Sequence, residues 1–533
     1  MNTNEKKGLL SQIRWEVFIP SFLLVAGAAV MGLLNNDKLA AWSKLFFSWS
    51  LDHFGWLYQL VVTFTCLLVL YLMLSKAGSI RFGGKNAKPK YSFWLWFAMS
   101  LTGGVATGIV TWGVNEPLIY LGNIYGELDG YGIAPFTTEA AVFSMARNFH
   151  NWTILPYSVY ALAGVLVAYV YFNKREPLAV TATLRPLLGK KVESGLWAGV
   201  IDTLSMLAVA LGLTSGLTMC IILLTSGLNF AYDIDLTLGF FIGTGIFSIV
   251  CFTMSTYLGI DRGIKKLADL NAYFYYGLLV LLVVTGPVLF ILDYSTTGLG
   301  YWLQNFWSWS LDTGVSGGKP LVQSWTLFDW AIWIAYAPVT GIFLGMIAYG
   351  RTVREFLIVN FILPAVFGLL WFSIWGGTAM HMQLSGAVDL VGTIKNSNAV
   401  NALWQFLQNM PFGLGWIILP VNLFVILISF VTAADAASNN VASMCIKDVP
   451  IGSEAPGSLK VLWGATIGVV AILMAAFSGS EQGVEGVKAL ATVGGFFVLF
   501  VFMLQLMSAI KMFFVDELVE PKEAVLPELN KED

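Results

Sequence analysis

DWAIWIAYAPVTG, residues 329–341, sets an acid, two tryptophans, a tyrosine and a proline inside an apolar run of helix length. Lipid asks only for leucine there, so Asp329, Trp330, Trp333, Tyr336 and Pro338 each need a reason. Trp330, Trp333 and Tyr336 are spaced three apart and therefore lie along one slowly turning helix face.

That lipid is the solvent follows from composition. The chain has 533 residues, 57% of them hydrophobic and only 11% charged, with a mean hydropathy of +0.74. A soluble protein carries about a quarter charged residues. Apolar runs here repeatedly reach the ~20 residues needed to cross a bilayer. The expected class is an all-α polytopic membrane protein without a soluble catalytic or nucleotide-binding domain. A net charge of −3 says nothing about partners and gives no reason to expect nucleic acid.

Hydropathy places spans at 16–34, 55–75, 93–120, 152–172, 194–226, 236–257, 270–292, 325–349, 356–376, 412–433, 458–478 and 487–513, twelve in all. Lys and Arg collect in short loops on the cytoplasmic side. Lys6, Lys7 and Arg14 precede the first run, Arg81 to Lys90 follow the second, Lys174 to Lys191 the fourth, Arg262 to Lys266 the sixth, and Arg351 and Arg354 the eighth. The alternation closes with an even number of spans and both termini inside. The first run has no clear cleavage site and is expected to stay as a span. Residues 299–311 and 399–410 are amphipathic; the first, rich in tryptophan, suits an interfacial helix. The acidic tail 516–533 is expected to be disordered.

Several runs depart from a lipid-facing helix. The third holds Gly103, Gly104, Gly108 and Gly113, then Glu116-Pro117. The glycines suit either close packing or an unwound segment that offers backbone groups to a ligand. Glu116 is costly to bury and is expected to face a cavity or the aqueous boundary. The tenth run ends in ISFVTAADAASNN, 428–440, either a set of hard oxygen ligands for a small cation or a polar helix end with Asp435 at the boundary. Asp202 reads as a relay acid or as the partner of an inner-loop base. His53, His150 and His381 lack metal-ligand spacing, and Cys66, Cys220, Cys251 and Cys445 suggest no disulfide. There is no phosphate-binding glycine loop, HExxH or GxSxG motif, so no enzyme activity is expected.

A second aromatic group, NWTILPYSVY at 151–160, brings Trp152, Tyr157 and Tyr160. Set against Trp333, such rings could line a cage for a quaternary ammonium, which ring faces attract. An interfacial aromatic belt is the other reading.

WTLFDWAIWIAYAPVTGIFLGMIAYGRTVREF, 325–356, closely resembles the signature segment of the betaine/carnitine/choline transporter family. WGVNEPL at 112–118, FHNWTILPY and FVTAADA extend the resemblance over essentially the whole chain. The resemblance implies a secondary transporter with two leading helices and two inverted five-helix repeats, the LeuT-like arrangement, and a homotrimer with a midplane substrate site. The corresponding division is 1–90 for the tail and leading helices, 91–292 for the first repeat, 293–324 for an outer loop with an interfacial helix, 325–515 for the second repeat and 516–533 for a cytoplasmic tail.

Carried over by resemblance, the aromatic box falls on Trp152, Tyr157, Tyr160 and Trp333, with Trp330 and Tyr336 nearby. Tyr157 stands where many members have Trp, and Ile332 replaces the first of a Trp-Trp pair. GGVATG at 103–108 also differs from the alternating glycines of sodium-coupled betaine carriers. The sodium site of coupled members corresponds to Thr102, Val105, Ser429, Thr432 and Ala433, the last without the usual hydroxyl. Exchangers carry an arginine and a methionine where this chain has Asn271 and Thr340, which favours sodium symport. Arg351 and Arg354 are candidate gate residues. The implied substrate is a trimethylammonium compound or another zwitterion, with Na⁺ as coupling ion and no other cofactor, carried across an inner (plasma) membrane. A sodium-independent substrate/product exchanger is the alternative.

Overall fold

A computed structural model of the chain describes residues 9–104, 108–193, 195–258, 265–446, 455–477 and 482–524. Among these residues nine helices are long and apolar enough to cross a membrane, ten if the bent pair Lys319–Pro338 and Thr340–Met346 is one span. The described backbone forms no strand, only the isolated bridges Ile13–Ile446 and Arg81–Thr352. In lipid a helix satisfies its own backbone groups, which is why apolar runs of this length take that form.

The principal helices in chain order are α1 (Trp15–Leu74), α2 (Phe93–Gly104), α3 (Gly108–Gly122), α4 (Thr138–Trp152) and α5 (Ile154–Ala168). Next come α6 (Gly195–Tyr232), α7 (Leu238–Leu258), α8 (Lys265–Thr285), α9 (Val288–Ser310) and α10 (Phe328–Met346). After them run α11 (Val353–Leu384), α12 (Ala399–Gln408), α13 (Gly415–Met444), α14 (Gly457–Phe477) and α15 (Gln482–Ile510). Two of the twelve apolar runs match none of these ten spans. The first is the shorter apolar helix Trp15–Gly27 at the head of α1, which leaves helical geometry at Asn35. The third is divided into α2 and α3.

Two departures from the sequence reading have plain causes. Gly286 and Pro287 end α8 early, so the predicted 270–292 run divides and α9 begins at Val288. The tryptophans of 299–311 do not all lie at an interface: Trp302 and Trp309 are buried, while Trp307 stays 57% exposed. Burial of those indoles follows from α9 packing along α4.

α10 and α5 form an extensive helix pair at the centre of the bundle. Membrane helices gain nothing by hiding leucine from lipid, so close approach depends on small residues. A side chain at Gly341 would meet the Ala163 methyl at 2.6 Å, so α10 touches α5 backbone to backbone there. Pro338 removes an amide donor, and the axis bends by 48° just beyond it.

Both ends of the described residues are also tied down. Arg14 donates its main-chain N–H to Cys445 O at 2.7 Å and pairs with the buried Asp202 at 2.6 Å. Asp202 is thus held by a base, the second of its two sequence readings. Residues 516–524 of the tail are ordered, contrary to expectation, and the rest lie outside the described residues. Val519 N donates to Tyr169 Oη at 2.7 Å, Asn173 Nδ2 donates to Val519 O at 3.0 Å and Arg81 N donates to Glu520 Oε1 at 3.0 Å. Main-chain bonds of this kind need no hydrophobic side chain, so an acidic composition did not betray them.

Candidate functional site

α4 and α5 are one apolar run broken at Thr153, whose backbone (φ −119°, ψ −116°) is not helical. Trp152 lies just before the break, Tyr157 and Tyr160 just after it. Opposite them, on α10, stands Trp333. Its ring lies 4.8 Å from Tyr157 and near-perpendicular to it, 4.5 Å from Tyr160 and 6.4 Å from Trp152. Two of these contacts are near edge to face and the Tyr160 contact is tilted; a cluster of ring faces is the kind of surface that attracts a cation unable to hydrogen-bond.

The structure therefore brings together four of the six predicted aromatic residues. Trp330 is fully buried elsewhere, its ring 5.6 Å from His150. Tyr336 turns to α6, where its hydroxyl donates to the Gly212 carbonyl. Any side chain at Gly212 would collide with that ring at 2.8 Å.

Sequence reasoning missed Phe372, whose ring lies 5.5 Å from Trp152. It sits where α11 widens into a π-turn over Phe372–Gly376, a local irregularity often found at functional sites. Nothing in the apolar run around it marks the position.

Of the two expectations for Glu116, a cavity or the aqueous boundary, the second is excluded, because the residue is fully buried. Its Oε2 accepts from Trp152 Nε1 at 2.6 Å. Its Oε1 accepts from Tyr120 at 2.5 Å and from Asn151 at 3.1 Å. Asn151 Oδ1 in turn accepts from Thr326 Oγ1 at 2.9 Å, joining α3 and α4 to the segment that leads into α10. Hydrogen bonds from neutral donors make a buried carboxylate tolerable. A second buried acid, Glu127 in the following loop, accepts from Trp325 Nε1 at 3.1 Å, and burial raises its carboxyl above the ordinary value.

The candidate cation residues fall on α2, α13 and the gap between α2 and α3. Val105 lies outside the described residues, and Thr102 is in α2, which packs against α13. Ser429 Oγ is engaged by Asn271 at 3.0 Å and by Tyr275 at 2.8 Å. Thr432 Oγ1 donates to Ile428 O at 2.8 Å, which leaves its lone pairs for another partner. Ala433 is half-buried. Asp435, fully buried, accepts from Ser255 at 2.6 Å and so is not at an aqueous boundary.

Both candidate gate arginines hold carbonyls at helix ends. Arg351 Nη2 donates to Tyr91 O at 2.7 Å with its guanidinium 4.6 Å above the Trp96 ring. Arg354 donates to Met73 O at 2.8 Å and Ser75 O at 2.9 Å. Thr352 and Glu355 close a capping box that fixes the turn between them.

The sequence pattern described as the betaine/carnitine/choline family transporter matches residues 16–517. The chain belongs to that family. A probable glycine betaine transporter of Desulfitobacterium hafniense is 30% identical over 90% of this chain and 90% of its own length. The glycine betaine transporter OpuD of Bacillus subtilis is 29% identical over 91% of each chain. An ectoine/hydroxyectoine transporter of Virgibacillus pantothenticus is 28% identical over 87% of this chain and 90% of its own. These relatives are transporters, and the chain is a multi-pass membrane transporter rather than an enzyme.

Proposed function

We propose that this family member is a secondary active transporter of a trimethylammonium compound of the glycine betaine, carnitine or choline type. The four-ring box of Trp152, Tyr157, Tyr160 and Trp333 carries the proposal. A desolvated quaternary ammonium between such faces gains about 2 kcal/mol from each good cation–π contact. The break at Thr153 and the bend beyond Pro338 let the two ring-bearing segments move without unwinding a whole helix. The supporting relatives are named for glycine betaine and ectoine. In proteoliposomes, internal unlabelled substrate should accelerate entry of the labelled compound. A channel gives no such counterflow, and its absence for all three compounds would sink the proposal.

The same reading includes twelve spans arranged as 1–90, 91–292, 293–324, 325–515 and 516–533, with inverted repeats, both termini cytoplasmic and a homotrimer in the plasma membrane. Arg351 and Arg354 act as the inner gate, holding loop and helix ends together until the box releases its substrate. Sodium is the coupling ion, with Thr432 as a ligand and backbone near 102–105 completing the set. Ser429 fits less well because Asn271 and Tyr275 already occupy its oxygen.

A second reading keeps the site and changes the cargo. Tyr157 adds a second phenol beside that of Tyr160, which suits a zwitterion with an N–H donor. Competition of ectoine against labelled betaine distinguishes the two.

A further inference from the structure

Arg147 and His150 lie one turn apart on α4, both fully buried, and the aromatic box uses neither. The faces of the Arg147 guanidinium are covered by rings: Trp309 at 3.9 Å, Tyr131 at 5.1 Å and Phe143 at 5.4 Å. Its edge is another matter. Nη2 donates to Tyr131 Oη at 2.6 Å, while Nε and Nη1 have no hydrogen-bond partner. Among the described residues no carboxylate lies within ion-pair distance of it.

His150, one turn along, carries a second donor that is not fully satisfied. Trp302 Nε1 can only donate, and it donates to His150 Nδ1 at 3.2 Å. Nδ1 is therefore unprotonated, the ring is neutral, and Nε2 carries the hydrogen. Its nearest acceptor is the Trp309 main chain, met only at the edge of hydrogen-bond geometry, and the His150 ring lies 5.8 Å from the Trp309 indole.

Removing a guanidinium from water costs several kcal/mol, and ring faces return only part of it. The missing element is an acceptor with negative charge in the guanidinium plane. Asp312, a nearby acid, accepts from Gly314 N at 2.8 Å and is near enough to favour the charged guanidinium without forming an ion pair with it. We propose that Arg147 Nε and Nη1, with His150 Nε2, bind a small monovalent anion, either chloride or a carboxylate group, between α4 and Trp309 of α9. Because His150 also abuts Trp330 on α10, the anion ties the outer helix to the segment carrying Trp333.

The test uses the purified full chain at constant sodium, with chloride, bromide, acetate or gluconate as the anion and no transport substrate. Chloride and bromide should raise the melting temperature by about 3 °C, in a saturable way, over gluconate, whose carboxylate sits on a chain too bulky for a fully buried site. A rise with acetate alone assigns the site to a carboxylate group. Arg147→Gln should abolish the anion effect, and a rise that persists in it overturns the proposal. Should that variant fail to fold, bromide-soaked crystals of the wild-type protein should give an anomalous peak at hydrogen-bond distance from Arg147. Equal melting in every salt, with no bromide peak, means that water satisfies these donors and the anion site is wrong. None of these readouts depends on which compound the box carries.

Discussion

The indole N–H of Trp152 ends on the carboxylate of Glu116, 2.6 Å away. One wall of the aromatic box is thereby held by its edge in its setting against Trp333, 6.4 Å away. Glu116→Ala removes the acceptor, and a hydrogen bond to a charged group contributes about 1.5–3 kcal/mol. We expect at least tenfold weaker substrate binding in a scintillation proximity assay. Glu116→Gln keeps an acceptor and should lose less. Equal losses in the two variants would mean that charge, rather than the hold on Trp152, matters.

Trp333 touches three of the other box residues, so its replacement is the most direct trial of the cage. Trp333→Leu keeps bulk but removes the ring quadrupole, worth about 2 kcal/mol or roughly thirtyfold in affinity. A folded Trp333→Leu protein that binds betaine, carnitine and choline as tightly as wild type puts the cage elsewhere.

Arg351 and Arg354 grip carbonyls with a planar fork that lysine lacks. The double variant Arg351→Lys, Arg354→Lys keeps positive charge in the loop, so orientation in the membrane should be unchanged while transport falls at least fivefold. Full transport would leave these arginines only a topological role.

Thr432→Val is nearly isosteric and removes one oxygen. Ion and substrate raise each other's affinity by the same factor, so the variant should need more sodium for half-maximal binding and recover substrate affinity at saturating sodium. Uptake that is unchanged when N-methylglucamine replaces sodium at fixed membrane potential argues for exchange or proton coupling.

The Arg14–Asp202 pair offers a stability measurement. Asp202 is fully buried and Arg14 mostly so. Losing one partner of a buried pair costs about 3–5 kcal/mol. Arg14→Ala should lower the melting temperature more than the double variant Arg14→Ala, Asp202→Asn, because the second change removes the stranded charge.

Much of this was readable from spacing, and the failures are instructive. A step of three residues turns a helix about 300°, so successive positions drift by about 60°. Trp330, Trp333 and Tyr336 share a face only loosely, and that drift carries Trp330 round to His150 and Tyr336 round to Gly212. Trp152, Tyr157 and Tyr160 were found because they crowd one short stretch. The two readings of Glu116 stayed open because its donors come partly from α4, 35 and 36 positions away, a distance no local pattern spans. Arg147 was passed over as an ordinary helix residue, since nothing in sequence says that Trp309 would cover it.

The ordered tail also bears on handling. Val519 and Glu520 are stitched to Tyr169, Asn173 and Arg81, so affinity tags belong after Ala524. Cutting the chain back to Val515 would strip Asn173 and the Arg81 amide of bonds they now make, and expression yield would then report a damaged loop rather than a dispensable extension.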